Sequence, residues 1–268
     1  MLVYPQLDPV LVSLGPLKIH WYGVMYLVGF TGAWLLAIKR SQRAWSPLRR
    51  DQVEDLIFYA AFGVILGGRC GYVILYNFDK WLADPLWLFR IWEGGMAFHG
   101  GLLGVIVALI FYARKLKQSP LAVLDFVAPL VPIGLGLGRI GNFIGQELWG
   151  RASDWPIAMI FPRDPEQIAR HPSQLYQAGL EGLLLFIILY TFSRRPRPEG
   201  AVAGLFLFFY GVFRFIAEFA REPDSHIGFD FFDWLTRGQL LSVPMIAIGA
   251  LILLVSYLRR KKVLGVRA

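Results

Sequence analysis

Five ionisable side chains lie inside long apolar stretches of this 268-residue chain, where an unpaired charge is costly and usually serves a function. These are Arg69, Arg139, Glu181, Arg214 and Glu218. His99 begins a further apolar stretch. The direction of each stretch, with a helical rise of about 1.5 Å per residue, predicts that Arg139, Arg214 and His99 share one depth near the outer face of a membrane.

Two arginines and a histidine at one depth suit an enzyme that binds a phospholipid and uses its phosphate as the leaving group. A guanidinium is charged at any working pH, and its planar fork binds phosphate through two N–H groups. Histidine can accept a proton near neutral pH. Simpler alternatives stay open: Arg214 could pair with Glu218 one helical turn away, Arg139 could snorkel, and His99 could be an ordinary interfacial residue.

The composition indicates that membrane helices position these residues. Hydrophobic residues make up 56% and charged residues 17% of the chain, and the mean hydropathy is +0.51. A soluble domain has about 25% charged residues. We therefore predict an all-α polytopic membrane protein that forms a single catalytic domain over residues 1–268 and has no nucleic-acid partner. The seven predicted transmembrane helices cover residues 20–38, 56–76, 96–113, 121–141, 174–192, 201–220 and 239–258.

The loops between the apolar runs predict the orientation of the chain. Four of the eight hydrophilic segments, including the C-terminal one, hold sixteen Lys and Arg residues, whereas the alternate four hold eight. The positive-inside rule then predicts that the N-terminus lies outside and that the C-terminus lies inside, in the cytoplasm. No basic segment precedes the first run, so we expect that run to be retained.

Three segments on the outer side have unusual composition or length. Residues 81–92 and 229–237 mix Trp and Phe with a few charges, which predicts interfacial helices that act as an aromatic belt or as a substrate gate. Residues 142–173 are longer than a turn requires, which favours a functional role.

Several other chemistries are not expected. The GxGxxG pattern at 136–141 lies in a membrane run without a preceding strand, so it is not a dinucleotide site. No histidine pair has the spacing of a zinc site, and no GxSxG elbow occurs. The single cysteine, Cys70, is predicted to be a structural thiol. Any reacting thiol would come from the substrate.

Longer polar strings carry a resemblance that covers nearly the whole chain. The string GRIGNFIGQELWGR at 138–151 resembles the signature of phosphatidylglycerol–prolipoprotein diacylglyceryl transferases. Further blocks in that family's order are IHWYGVMYLVGF at 19–30, MAFHGG at 96–101, RHPSQLYQ at 170–177 and YGVFRFIAEFAREPD at 210–224. The resemblance implies a seven-span bacterial inner-membrane enzyme with a periplasmic N-terminus and an active site toward the periplasmic leaflet.

The resemblance also implies a reaction. The family transfers the diacylglyceryl group of phosphatidylglycerol to the lipobox cysteine thiol of a prolipoprotein signal peptide, which forms a thioether and releases glycerol phosphate. This is the first step of lipoprotein maturation, and membrane lipid is the only further partner. No metal or soluble cofactor is implied.

The matching motifs carry residue roles. Arg139 and Arg214 would contact the lipid phosphate, and His99 is a candidate base for the thiol. The other matching functional positions, which we expect to bind substrate, are Tyr22, Asn142, Glu147, Gly150, Tyr210 and Glu218. Arg221 follows Arg214 by seven positions on the same helical face and is added to this set. Gly145-Gln146 departs from the Asn-Gly of many members.

Two alternatives belong to other classes of membrane protein. A small lipid transporter or scramblase would commonly show two related halves and a midplane site, and neither is visible in this sequence. The second alternative is a seven-helix receptor or a light-driven pump. A retinal protein needs a Schiff-base lysine in its last span, and residues 239–258 contain none.

Overall fold

The computed structural model describes residues 2–15, 17–222, 229–231 and 235–265. Each predicted apolar run coincides with a helix or with a bent pair of helices. The helices are α1 (Trp21–Ser41), α2 (Gln52–Tyr76), α3 (Phe98–Lys115), α4 (Pro120–Val127), α5 (Val131–Gly145), α6 (Ser173–Phe192), α7 (Ala201–Glu218) and α8 (Arg237–Gly265). The strands are β1 (Leu2–Val3), β2 (Val10–Leu14), β3 (Leu17–His20), β4 (Met159–Ile160), β5 (Ala169–Arg170), β6 (Phe229–Phe231) and β7 (Leu235–Thr236).

Within the described residues, five helices are long and apolar enough to cross a membrane, namely α1, α2, α6, α7 and α8. The number rises to six if α4 and α5 together form one span. These two helices meet at an angle of 41°, so the single straight run predicted over 121–141 is broken. Pro129 lies in the break and Pro132 in the first turn of α5. Proline lacks the N–H that would continue the helical hydrogen bonds.

The chain divides into two compact units, which are described one at a time. The first comprises Met1–Leu36 and Val127–Ala268, and the second comprises Ala37–Phe126. In the second unit, α2 and α3 pack backbone against backbone along a stripe of glycines. A Cβ atom added at Gly67 would lie 2.7 Å from the Gly104 Cα atom, so only glycine allows this approach.

Arg69 organises the connection between α2 and α3 in the second unit. Its buried guanidinium donates hydrogen bonds to the carbonyl oxygens of Trp87, Leu88, Gly94 and Gly95, and it lies 4.6 Å from the centre of the Trp87 ring. Among the ionisable residues in apolar runs, Arg69 therefore has a structural role in holding this connection.

The two aromatic segments expected to be interfacial differ in structure. The first forms a short helix, Phe78–Ala83, and two 3-10 turns, Pro85–Phe89 and Ile91–Glu93. In the second segment, β6 pairs antiparallel with β7, and residues 232–234 lie outside the described part of the chain. The described part of this second segment is therefore a strand pair followed by the start of α8, and the helix expected there is replaced by strands.

The long segment before α6 is an ordered part of the first unit. Strand β4 pairs in parallel with β1 and antiparallel with β5. A small core beside this sheet contains Tyr4, Phe143, Met159 and Phe161. The Tyr4 hydroxyl donates to the Phe143 carbonyl oxygen at 2.9 Å, which ties the N-terminal segment to the last turns of α5. A second core, between α6 and α7, includes Leu185, Leu189 and Val202.

Candidate active site

Two arginines from different helices of the first unit meet at one carboxylate. Arg139 lies on α5, Arg214 on α7 and Glu181 on α6. The Arg139 Nη2 atom is 3.9 Å from Glu181 Oε2, and the Arg214 Nη1 atom is 3.7 Å from Glu181 Oε1. The Glu181 side chain is 0% exposed, whereas the side chains of Arg139 and Arg214 are 21% and 14% exposed. The two arginine side chains therefore retain some accessible surface, whereas the carboxylate that they share is fully buried.

A close approach of α5 and α6 places Glu181 beside Arg139. A Cβ atom added at Gly182 would lie 2.5 Å from the Gly136 Cα atom, so the two backbones touch next to Glu181. Gly136 is the first glycine of the GxGxxG pattern, which here serves helix packing. Residues Ala178–Leu184 form a π-helical segment within α6, a wide turn that often marks functional sites.

Arg214 has two further partners in the first unit. Its Nη1 atom donates to Gln177 Oε1 at 3.0 Å, and its Nη2 atom forms an ion pair with Glu218 Oε2 at 2.9 Å. The pair with Glu218 is the i,i+4 contact that the sequence left as an alternative, and it coexists with the contact to Glu181. The Tyr210 side chain lies within electrostatic range of Arg139, Glu181 and Arg214.

Glu218 extends the cluster toward the end of α7. Its Oε1 atom is 3.7 Å from Arg221 Nη1, and its carboxylate packs against Gly238 in the first turn of α8. Three guanidinium groups and two carboxylates are thus joined in one chain of ion pairs, which carries a net formal charge of +1. A monoanionic ligand would balance this charge.

Gly150 connects the long segment to this cluster through its backbone. It forms an isolated bridge with Arg221, and its N–H donates to the carbonyl oxygen of His171. A Cβ atom at Gly150 would lie 2.3 Å from the Ala220 carbonyl oxygen, so no other residue fits without a shift. The neighbouring Arg151 donates to the carbonyl oxygens of Arg221 and Glu218.

His171, which flanks Gly150 and Arg151, has a contact of its own. Its Nδ1 atom lies 3.1 Å from the Tyr176 hydroxyl. Burial lowers the pKa of the His171 imidazole, so this ring is neutral at neutral pH.

Three other expected residues lie near the end of α5. This helix continues to Gly145, which places Asn142 one turn from Arg139 on the same face, as the spacing predicts. Asn142 is buried, whereas Glu147 is exposed. Tyr22 packs against Gly141, its hydroxyl lies 3.1 Å from that of Tyr26, and it is within electrostatic range of Arg139 and Glu147.

The Gly145-Gln146 departure has a local structural explanation. Gln146 ends α5 in the left-handed conformation, with φ of 55°, where glycine is the unstrained residue. Its side-chain oxygen accepts a hydrogen bond from the backbone N–H of Arg163 at 2.9 Å. This bond ties the end of α5 to the long segment, a contact that glycine would not make.

His99 and Cys70 belong to the second unit, whereas the residues of the ion-pair cluster belong to the first. His99 is exposed in the first turn of α3, and Cys70 is half-buried on α2. In the residues described, no group of three or more His, Cys, Asp or Glu side chains could hold a metal ion.

Sequence reasoning left three residues in or beside the cluster without a role. Glu181 was recognised as an ionisable residue within an apolar run but was given no place in the site. Gln177 and Arg151 were not singled out as individual residues. The available signal was spacing, because Glu181 follows Gln177 by four positions and Gln177 ends a polar block that the family shares.

Comparisons with known proteins identify the family of this chain. The model of the family described as prolipoprotein diacylglyceryl transferase matches residues 9–255. Three similar proteins are all named phosphatidylglycerol–prolipoprotein diacylglyceryl transferase. The relative from Teredinibacter turnerae is 62% identical, over 96% of this chain and 93% of its own. The relative from Marinomonas is 58% identical over 93% of each chain, and that from Pseudomonas entomophila is 56% identical over 97% of each. This chain therefore belongs to the prolipoprotein diacylglyceryl transferase family.

Proposed function

We propose that this protein transfers the diacylglyceryl group of phosphatidylglycerol to the lipobox cysteine thiol of prolipoproteins, the first step of lipoprotein maturation. The observation that carries the proposal is the meeting of Arg139 and Arg214 at one buried carboxylate, within helices apolar enough to lie in a membrane. The anionic group available to two such guanidiniums is a phospholipid phosphate.

The reaction forms one bond and breaks one. The substrate thiolate attacks the glyceryl carbon that bears the phosphate, a carbon–sulfur bond forms, and the carbon–oxygen bond to the phosphate breaks. Glycerol phosphate leaves with the electron pair and gains negative charge as it departs. Arg139 and Arg214 stabilise that charge, and such electrostatic stabilisation is commonly the largest contribution to catalysis.

The thiol must lose its proton before it attacks, and its ordinary pKa is about 8.5. His99 is our candidate base. The alternative is that the positive field of the two arginines favours the thiolate without a base. These routes predict different pH dependence, which the experiment below uses.

The remaining residues would position the lipid or the arginines. Glu218 holds Arg214 at 2.9 Å and lies 3.7 Å from Arg221, so we propose that it orients both guanidiniums. Tyr210 borders the same cluster. We propose that Tyr22, Asn142 and Glu147 bind substrate near the end of α5, and that Gly150 acts through the close backbone packing that it permits.

We further propose that the chain spans the bacterial inner membrane seven times. In this arrangement α3 and the bent pair α4–α5 each complete a span beside the other five. The excess of Lys and Arg in the alternate loops supports a periplasmic N-terminus and a cytoplasmic C-terminus. The active site then faces the periplasmic leaflet, where the prolipoprotein signal peptide and phosphatidylglycerol would meet.

The test is a defined reconstitution read by mass spectrometry. Purified protein, phosphatidylglycerol vesicles and a lipobox peptide with one cysteine should yield a peptide with a diacylglyceryl group on sulfur. Arg139→Ala should abolish this product while the protein remains folded, whereas Arg195→Ala, at an exposed arginine of the α6–α7 loop, should not. No adduct from folded wild-type protein would refute the proposed function.

The His99→Gln variant in the same assay separates the two proton routes. A base mechanism predicts a large loss that diminishes as the pH rises, because the thiol then ionises on its own. Activity parallel to wild type at every pH would exclude His99 as the base.

A further inference from the structure

We propose that Glu181 is a positioning residue, a buried counter-ion that holds Arg139 and Arg214 together for the lipid phosphate. The inference rests on the proposed function, because it concerns the same two arginines. The sequence alone shows only that Glu181 is an ionisable residue within an apolar run, and this inference gives it a role.

The first support is how Glu181 binds its partners. Both carboxylate oxygens are buried and, within the described part of the chain, neither makes a hydrogen bond. The contacts to Arg139 and Arg214 are 3.9 Å and 3.7 Å long, beyond hydrogen-bonding distance. Glu181 therefore attracts the two guanidiniums by charge and does not itself occupy their N–H groups.

The second support is that two like charges need such a partner. Arg139 and Arg214 each lie within 4 Å of one carboxylate, and in a poorly solvated site their repulsion is stronger than in water. A negative charge between them opposes that repulsion before any lipid arrives. Within the described residues, Arg214 has a second carboxylate partner in Glu218, whereas Arg139 forms its ion pair with Glu181.

The third support is that the fold fixes the position of Glu181. The following residue, Gly182, packs directly on Gly136 of α5, and Glu181 lies within the π-helical segment of α6. One turn earlier, Gln177 accepts a hydrogen bond from the same Arg214 nitrogen that faces Glu181. The position of Glu181 is thus fixed by the packing of Gly182 after it and by the hydrogen bond of Gln177 before it.

Two substitutions distinguish a role for charge from a role for volume. Glu181→Gln keeps the shape and removes the charge, whereas Glu181→Asp keeps the charge and shortens the side chain. Because a misplacement of about 1 Å can cost about 100-fold in rate, we expect Glu181→Gln to lower kcat about 100-fold. Glu181→Asp should retain clearly more activity than Glu181→Gln. A packing role predicts the reverse order, and Glu199→Gln, at an exposed carboxylate of the α6–α7 loop, serves as the matched control.

A second readout does not depend on turnover. A dicarbonyl reagent attacks the neutral form of a guanidine, and a neighbouring carboxylate disfavours that form. We expect Arg139 and Arg214 to be modified about tenfold faster in Glu181→Gln than in wild type, and near the wild-type rate in Glu181→Asp. Peptide mass spectrometry gives each rate, with exposed Arg195 as the internal standard.

The outcomes separate this inference from the proposed function. Wild-type protein without transfer activity would refute the function, and the modification rates would still test the role of Glu181. Active wild-type protein, with Glu181→Gln as active as Glu181→Asp and equal modification of both arginines, would refute the positioning role. Loss of activity with the predicted order and faster modification would support it.

Discussion

The contact between Gly136 and Gly182 allows a stringent test of how the cluster is assembled. A Cβ atom at position 182 would lie 2.5 Å from the Gly136 Cα atom and 3.1 Å from its nitrogen. Carbon atoms in ordinary contact lie about 3.5–4.0 Å apart, so Gly182→Ala must separate α5 and α6 by roughly 1 Å. That separation would move Glu181 away from Arg139.

The expected magnitude follows from two opposing effects. Overpacking of a well-packed contact costs about 1–3 kcal/mol, whereas alanine is favoured over glycine in a helix by about 1 kcal/mol. The matched control is Gly179→Ala in the same π-helical segment, where an added Cβ atom meets nothing within 4 Å. Both variants gain the helical preference, so Gly182→Ala should be less stable than Gly179→Ala by about 1–3 kcal/mol. This equals roughly 5- to 150-fold in the unfolding constant.

The assay is reversible unfolding in detergent micelles, followed by circular dichroism, together with transfer activity in vesicles. We expect Gly179→Ala to match or exceed wild type in stability and to keep its activity. Gly182→Ala should unfold at lower denaturant and lose about 100-fold in activity through displacement of Glu181. Equal stability and activity of the two variants would show that the close approach of α5 and α6 does not position the site.

Two further predictions concern Arg69 in the second unit and Asp164 in the first. Arg69→Met should lower the free energy of unfolding by several kcal/mol, on the order of 1–3 for each carbonyl left buried without a donor. It should also speed amide hydrogen exchange across residues 84–95. Its control is Arg90→Met, which removes a half-exposed ion pair and should lower the free energy of unfolding by less than about 1 kcal/mol. Similar amide exchange in both variants would contradict the structural role of Arg69. Burial alone would raise the pKa of Asp164, but hydrogen bonds and the charge of Arg170 hold it below its usual value. Ionised Asp164 thus stabilises the fold above about pH 4, and this contribution is lost as the pH falls through the lowered pKa. The unfolding free energy should fall less steeply below about pH 4 in Asp164→Asn than in wild type, and identical slopes would refute this role.

The helix positions were largely predictable from the sequence, because helix formation in a membrane depends on residues that are close together along the chain. A run of about 20 apolar residues in a membrane can satisfy its backbone polar groups only as a helix or in a closed barrel. The run predicted over 201–220 is the helix Ala201–Glu218, and that over 96–113 is Phe98–Lys115. The break between α4 and α5 was not predicted, although both prolines were visible. Neighbouring helices decide whether a proline is tolerated or bends a span.

The candidate site was predictable in part. Arg139 and Arg214 could be selected because an arginine within an apolar run is costly. The shared depth expected from the direction of each run stays a prediction. The residue that joins them could not be selected, because their pairing with Glu181 depends on how closely α5 and α6 approach. Arg69 is also a charged residue within an apolar run, as Arg139 is, yet it donates its hydrogen bonds to backbone carbonyls of its own unit.

The amino-acid sequence alone was enough to identify a helical chain with long apolar spans, the approximate positions of its long helices, and its family. Those properties follow from apolar runs and from polar motifs that are contiguous along the chain. The contacts between separate helices and segments could be found only in the folded structure: Arg139 and Arg214 meet at Glu181, and Gly150 packs against the carbonyl of Ala220. Such contacts depend on how closely segments remote in sequence approach each other, and a change of a few tenths of an ångström in that separation matters. No local sequence pattern encodes it.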